Sequence, residues 1–207
     1  MSAILISAGW PIWPLLIISI FGLAILLERL WFLRRSKISP SSSLDMALTL
    51  GSSMMSSHVA IPEQSLQDLK NQSPLGSILS SGLQAKQAGL NEFEALDALR
   101  DAASPVFNSL ERYLGILATI ATLAPLMGLL GTVIGMIEIF GSQSASGNSP
   151  QQLAHGISIA LYNTAFGLLI AIPALAGWRG LRAMADQRQQ ECNDASRRLL
   201  KILFAGS

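Results

Sequence analysis

Three polar side chains, Thr132, Asn163 and Thr164, lie deep in stretches that are otherwise apolar. A hydroxyl or amide in such a place either hydrogen-bonds a neighbouring helix or orders water along an ion path. Their neighbours at helical spacing are small. In ATLAPLMGLLGTVIGMIEIF, residues 121–140, Ala121, Pro125, Gly128, Thr132 and Gly135 fall one above another in steps of four and three. In GISIALYNTAFGLLIAIPALAGW, residues 156–178, Ala160, Asn163 or Thr164, Gly167, Ala171 and Ala174 repeat the design. Each set makes a narrow, weakly polar stripe on a greasy helix. Small residues let helix backbones approach closely in lipid, so the stripes should face protein or an internal pathway. The bulky Leu, Ile and Met faces should see lipid or other helices. A threonine on each of two small-residue stripes, both on proline-containing helices, favours a pathway over packing alone.

Neither stripe carries a carboxylate, and Glu138 falls close to the outer end of its segment. Proton relays through membranes use Asp, Glu or His. A chain of this kind cannot relay protons at the midplane by its own side chains, so the titrating group should come from another subunit. Nucleophile–base pairs, a Walker loop, metal-ligand spacings and a dinucleotide fingerprint are all lacking. The expectation is therefore no enzyme, no metal and no cofactor. Cys192 is the single cysteine and reads as a plain small residue on a helix. His155 reads as an interfacial side chain in contact with solvent or headgroups. A net charge of +1 gives no basis for a nucleic-acid partner.

The elements that must hold these residues follow from length and charge. Half of the 207 residues are hydrophobic and only 13% are charged, where soluble domains carry about a quarter charged. Three segments are long and apolar enough to cross a bilayer. They begin near Trp10, Leu114 and Gly156. The expected layout is a first transmembrane helix in 1–35, a helical region in 36–112, a second span in 113–140, a loop in 141–155, a third span in 156–178 and a C-terminal helix in 179–207. The fold class is an all-α integral membrane protein with long cytoplasmic helical extensions. The first span lacks a basic leader and a cleavage site, and its ERLWFLRR end reads as a stop-transfer anchor. All 14 Lys and Arg lie within Arg29–Arg112 and Arg179–Lys201. Cytoplasmic flanks collect such residues, which puts the N-terminus and the 141–155 loop outside, and the middle region and tail inside. Trp10, Trp13 and Trp31 suit the two interfaces.

In the middle region Ser39-Pro40 should break the chain, and Ser43 should cap a short helix through Leu50. Helices should also start near Pro62 and at Pro74. Gly89 should close the latter, and Asn91 with Glu94 should form a capping box. From Glu92 a long helix should run into the second span with a kink near Pro105. Ser149 or His155 should start the third span's helix. The tail should pack against the long middle helix or a neighbouring subunit.

The runs PLMGLLGTVIGM, ALYNTAFGLLIAIPA and ERLWFLRR resemble the ExbB/TolQ/MotA family of proton-channel stators. The resemblance covers most of the chain and implies a pentameric ring around an ExbD/TolR-like pair of single-span subunits. The partner's membrane aspartate would take up and release protons, and proton flow would turn the pair. On this likeness Thr132 and Thr164 match the family's pore-lining threonines. Where ExbB-like members often carry a glutamate, five residues before the second threonine, this chain has Ile159. The likeness implies the bacterial inner membrane and, for an ExbB-like member, energising of TonB-dependent uptake together with a TonB-like protein. TolQ-like envelope maintenance and a gliding-type motor are the alternatives within the family. A structural membrane scaffold and a small-solute transporter are the alternatives outside it.

Overall fold

Leu15, Gly22 and Arg29 recur every seven residues, and all three are buried on helix α1, Ile12–Phe32. The opposite face carries Trp13, Ile17, Ile20, Phe21, Leu27 and Trp31, each more than half exposed. A soluble helix would invert this pattern. A helix with a narrow packed seam and a broad bare apolar face is built for lipid. The structure, a computed structural model, describes residues 12–57, 60–143 and 150–205. Trp10, Pro11 and residues 144–149 of the 141–155 loop, Ser149 among them, therefore lie outside the described residues. So does the side chain of His155.

Among the described residues seven further helices follow: α2 (Arg35–Ile38), α3 (Ser41–Ser57), α4 (Glu63–Gln72), α5 (Pro74–Gln87), α6 (Glu92–Glu111), α7 (Leu114–Gln143) and α8 (Pro150–Leu203). Three helical stretches among the described residues are long and apolar enough to cross a membrane: Ile12–Phe32, Glu92–Gly141 and Gly156–Leu203. The chain divides into two units, Met1–Arg29 with Tyr113–Gly180, and Leu30–Arg112 with Leu181–Ser207.

The first unit contains α1, α7 and the N-terminal part of α8. Leu15 packs on Ala124 and Ala171. A Cβ on Gly22 would touch the Ile120 side chain, and one on Gly177 would collide with Leu26. At the head of α7, Tyr113 holds a left-handed backbone, φ 66°. The buried Arg29 guanidinium lies 5.1 Å from the centre of its ring. Arg29 also pairs with Glu28, Nε to Oε2 at 2.7 Å. A non-glycine residue in that backbone region is strained, and neighbours must hold it there.

The second unit shows where local rules held. Ser73 caps α5 through its hydroxyl, accepting from the Gly76 N–H at 3.0 Å, with Pro74 at the first position. Gly89 follows with φ 79°. Asn91 and Glu94 exchange both bonds of a capping box. Ser43 departs from expectation. It lies inside α3, which continues to Ser57, and its hydroxyl is buried against Gln72 (3.0 Å) and Ser73 (2.8 Å). A tertiary contact, not a cap, explains that serine.

The long helix does not run straight on into the second span: α6 includes Pro105 and ends at Glu111, and the chain turns at Arg112–Tyr113 before α7. Pro105 is exposed, so the Asp101 carbonyl that loses its helical partner can turn to water. The third apolar helix begins before His155, at Pro150, and continues unbroken through Pro173 to Leu203.

Helix α8 packs its C-terminal part on α6, as expected for the tail. Arg182 pairs with Glu111 at 2.9 Å and Gln189 donates to Glu111 at 3.0 Å. The Gln189 bond, then that of Arg182, holds the Glu111 carboxyl below its ordinary value of 4.5. A lowered value means that this stability is present above the unfolded pKa and is lost as pH falls through the folded one. Because the pair is solvent-screened, Glu111→Gln should cost about 0.5 kcal/mol at pH 7. The difference from wild type should vanish in acid, read from melting curves of detergent-solubilised protein at both pH values.

Arg188, 8% exposed, grips Glu191 with bonds of 2.7 and 2.6 Å, and Glu191 accepts from Ser39 at 2.6 Å. Cys192, on the same buried face of α8, is 1% exposed, and burial pushes its thiol up to about 11. Against an ordinary thiol, iodoacetamide at pH 8 should alkylate it about 100-fold more slowly. The denatured chain should react at the ordinary rate. Rapid labelling of the native protein would contradict this packing.

Candidate functional site

Register follows from where small residues sit. A Cβ on Gly128 would lie 2.7 Å from the Asn163 carbonyl oxygen and 3.0 Å from the Thr164 Cα. On Gly131 it would lie 2.9 Å from the Asn163 Cβ, and on Gly135 3.1 Å from that of Ala160. On Gly167 it would lie 2.5 Å from the Ala124 carbonyl oxygen. Positions rise along α7 as they fall along α8, so the two helices run antiparallel. They approach backbone to backbone, which glycines on the facing side permit.

Most residues of the two stripes therefore come together. Ala121, Gly128, Ala160, Gly167, Ala171 and Ala174 are buried, and Gly135 is half-buried. Gly128, Gly135, Ala160 and Gly167 form the α7–α8 seam itself. Asn163 is 2% exposed, and its side chain packs where Gly131 leaves room. Pro125 and Thr132 are half-buried, one position off the seam, and Thr164 is half-buried with its backbone in the seam against Gly128.

Sequence reasoning missed Ala124 and Gly131. The signal was present: Leu117, Ala121, Ala124, Gly128, Gly131 and Gly135 alternate steps of four and three, the spacing of a close two-helix seam. Choosing Pro125 and Thr132 rotated the stripe by one residue. That shift matters, because it separates the packing residues from the threonine.

The Thr132 hydroxyl donates to the Leu129 carbonyl at 2.6 Å. Its proton is used within the helix, which leaves the oxygen's lone pairs to accept from outside. Thr132 shares an open depression with Val133, Met136, Ile137, Phe140 and Gly141. Beyond it Glu138 is exposed, six residues along α7, or about 9 Å of rise. Ile159 is helical, and its side chain lies outside the described residues. Among the described residues no group of His, Cys, Asp and Glu is placed to hold a metal. The arrangement offers hydroxyl acceptors at the edge of a rigid two-helix seam, in apolar surroundings.

Residues 70–194 match the MotA/TolQ/ExbB proton channel family. The chain is similar to the biopolymer transport protein exbB1 of Vibrio cholerae serotype O1, 33% identical over 186 residues that cover 86% of this chain and 78% of that protein. It is 30% identical to the ExbB-like 1 protein of a Synechocystis species over 187 residues, 88% of this chain and 71% of that one. It is also similar to the Tol-Pal system protein TolQ of Haemophilus influenzae, 36% identical over 95 residues, 45% of this chain and 42% of that one. The match to the family runs from the end of α4 through both seam helices and most of the tail, and the chain therefore belongs to the MotA/TolQ/ExbB proton channel family.

Proposed function

We propose that this chain is the channel-forming subunit of a bacterial inner-membrane motor driven by the proton-motive force. Several copies, five by likeness to the family, enclose an ExbD/TolR-like single-span subunit whose aspartate titrates. Thr132 and Thr164 line the path and, with water, hydrogen-bond that aspartate, while Asn163 braces the seam behind them. The N-terminus faces the periplasm and the second unit lies in the cytoplasm. One observation carries the reading: threonines edge a glycine seam that holds no carboxylate, in a chain of a proton channel family. A unit charge crossing 100 mV releases about 2.3 kcal/mol, so a few protons per step supply ample work.

The ExbB-like names of the first two relatives favour energising TonB-dependent outer-membrane transport, with a TonB-like protein as the further partner. The similarity to TolQ supports envelope maintenance as the second reading. The experiment co-expresses the chain with its single-span subunit and measures transport or envelope integrity with and without an uncoupler. An Asp→Asn change in the partner's span is the second arm. Loss of activity in both arms is expected. Activity that survives the uncoupler would leave a structural scaffold as the better description.

A further inference from the structure

The C-terminal part of α8 and helix α6 carry opposite charges on their outward ridges. On α6, Glu94, Asp97 and Asp101 repeat at steps of three and four, with Glu94 and Asp101 exposed. On α8, Arg197, Arg198 and Lys201 are all exposed, as is Asp194 one turn before them, and on α6 the exposed Arg100 lies between Asp97 and Asp101. Between the ridges runs an open groove lined by Leu96, Arg100, Phe107, Asn108, Asn193 and Arg197, among others, with about 600 Å³ of accessible space. Asp97 reaches Arg100 on its own helix at 3.3 Å. No ion pair crosses the groove from Asp101, Arg197, Arg198 or Lys201 among the described residues.

The levels of the two ridges agree. Gln189 bonds Glu111 at one end of the groove, and Arg197 still lines it beside residues as far along as Leu96, so α8 runs antiparallel to α6. At 1.5 Å per residue from that bond, the basic ridge lies about 12 to 18 Å along and the Asp101–Asp97 pair about 15 to 21 Å. A rotation about an axis along the helix pair carries each group to another copy at its own level. The acidic ridge of one copy then meets the basic ridge of the next, a head-to-tail contact that closes into a ring.

We propose that these two ridges form an interface between copies of this chain, with Asp97 and Asp101 of one copy facing Arg197, Arg198 and Lys201 of its neighbour. The proposal rests on the multi-copy reading above and adds the surface that sets the register. Single exposed pairs contribute little, but several aligned across a groove exclude wrong registers and speed assembly.

The test co-expresses two single-site variants on separate copies, Asp97→Cys and Arg198→Cys, in full-length protein with the buried Cys192 replaced by Ser. Oxidation should give a disulfide-linked pair containing both variants, and either variant alone should not cross-link. In parallel, Asp97→Lys with Asp101→Lys should cut the assembled fraction, read by native mass spectrometry, at least tenfold, and adding Arg197→Glu with Lys201→Glu should restore it. Assembly of several copies by native mass spectrometry without the mixed disulfide would overturn the interface and leave the multi-copy reading standing. A monomer would overturn both. Loss without rescue by the swapped pair would mean a folding defect, and would count against the interface as well.

Discussion

Gly167→Ala is expected to abolish partner-dependent transport while the chain still inserts in the membrane. The added methyl would lie 2.5 Å from the Ala124 carbonyl oxygen and 3.1 Å from the Gly128 Cα, where ordinary contact begins at 3.4 Å. Those atoms are backbone of a neighbouring helix and cannot rotate away, so α7 and α8 must part by about 1 Å. A gap of that size forfeits roughly a quarter to a half of the attraction in each contact along the seam. The stability cost should be about 1–3 kcal/mol, and every group placed by the seam, Thr164 first, moves with it. Gly128→Ala should act the same way, since its methyl would meet the Asn163 carbonyl oxygen at 2.7 Å. Gly115→Ala is the control, because nothing lies within 4 Å of its new atom. Melting temperature in detergent and transport in cells are the readouts. If Gly167→Ala were indistinguishable from Gly115→Ala in both, the seam would be drawn wrongly.

Thr132→Val and Thr164→Val should each lower proton-driven activity about tenfold, with copy number and melting temperature close to wild type. Valine keeps the branched shape and removes only the hydroxyl. At Thr132 the hydroxyl proton serves the Leu129 carbonyl of its own helix, so its loss strands no partner in a neighbouring element. A fold effect within about 0.5 kcal/mol is the expectation for such a site. On the proposed function, what disappears is an acceptor for the titrating group. One hydrogen bond is worth about 1–1.5 kcal/mol net, which is about tenfold in rate. Serine at either position should retain most activity, because it restores the oxygen. The measurement is initial rate against applied proton-motive force in cells that hold equal amounts of assembled complex. Full activity in the double valine variant would remove both threonines from the path and leave the seam a packing device only.

How far the sequence alone reaches is clearest at particular residues. Pro74, Gly89, Asn91 and Glu94 were legible because caps and turns depend on a few adjacent residues, and each formed as read. The three apolar stretches were legible because hydrocarbon demands a long run without charge. Ser43 was misread because its partners, Gln72 and Ser73, are about thirty residues away. The break at Tyr113 had no local signal, since a tyrosine in the left-handed region is held there from outside, with Arg29 stacked over its ring.

The candidate site divides along the same line. Composition and spacing by themselves determined that the chain is helical, spans lipid, carries small-residue stripes with a threonine in each, and holds no deep carboxylate. Those properties are additive along the chain, so they survive without knowing what touches what. The tertiary structure alone decided which of two rows, one residue apart, becomes the seam. A helix turns 100° per residue, and a small row and its neighbour look alike until a second backbone arrives. That approach buried Ala124, Gly128 and Gly131 against α8 and left Thr132 at the edge, where a hydroxyl can meet something other than its own fold.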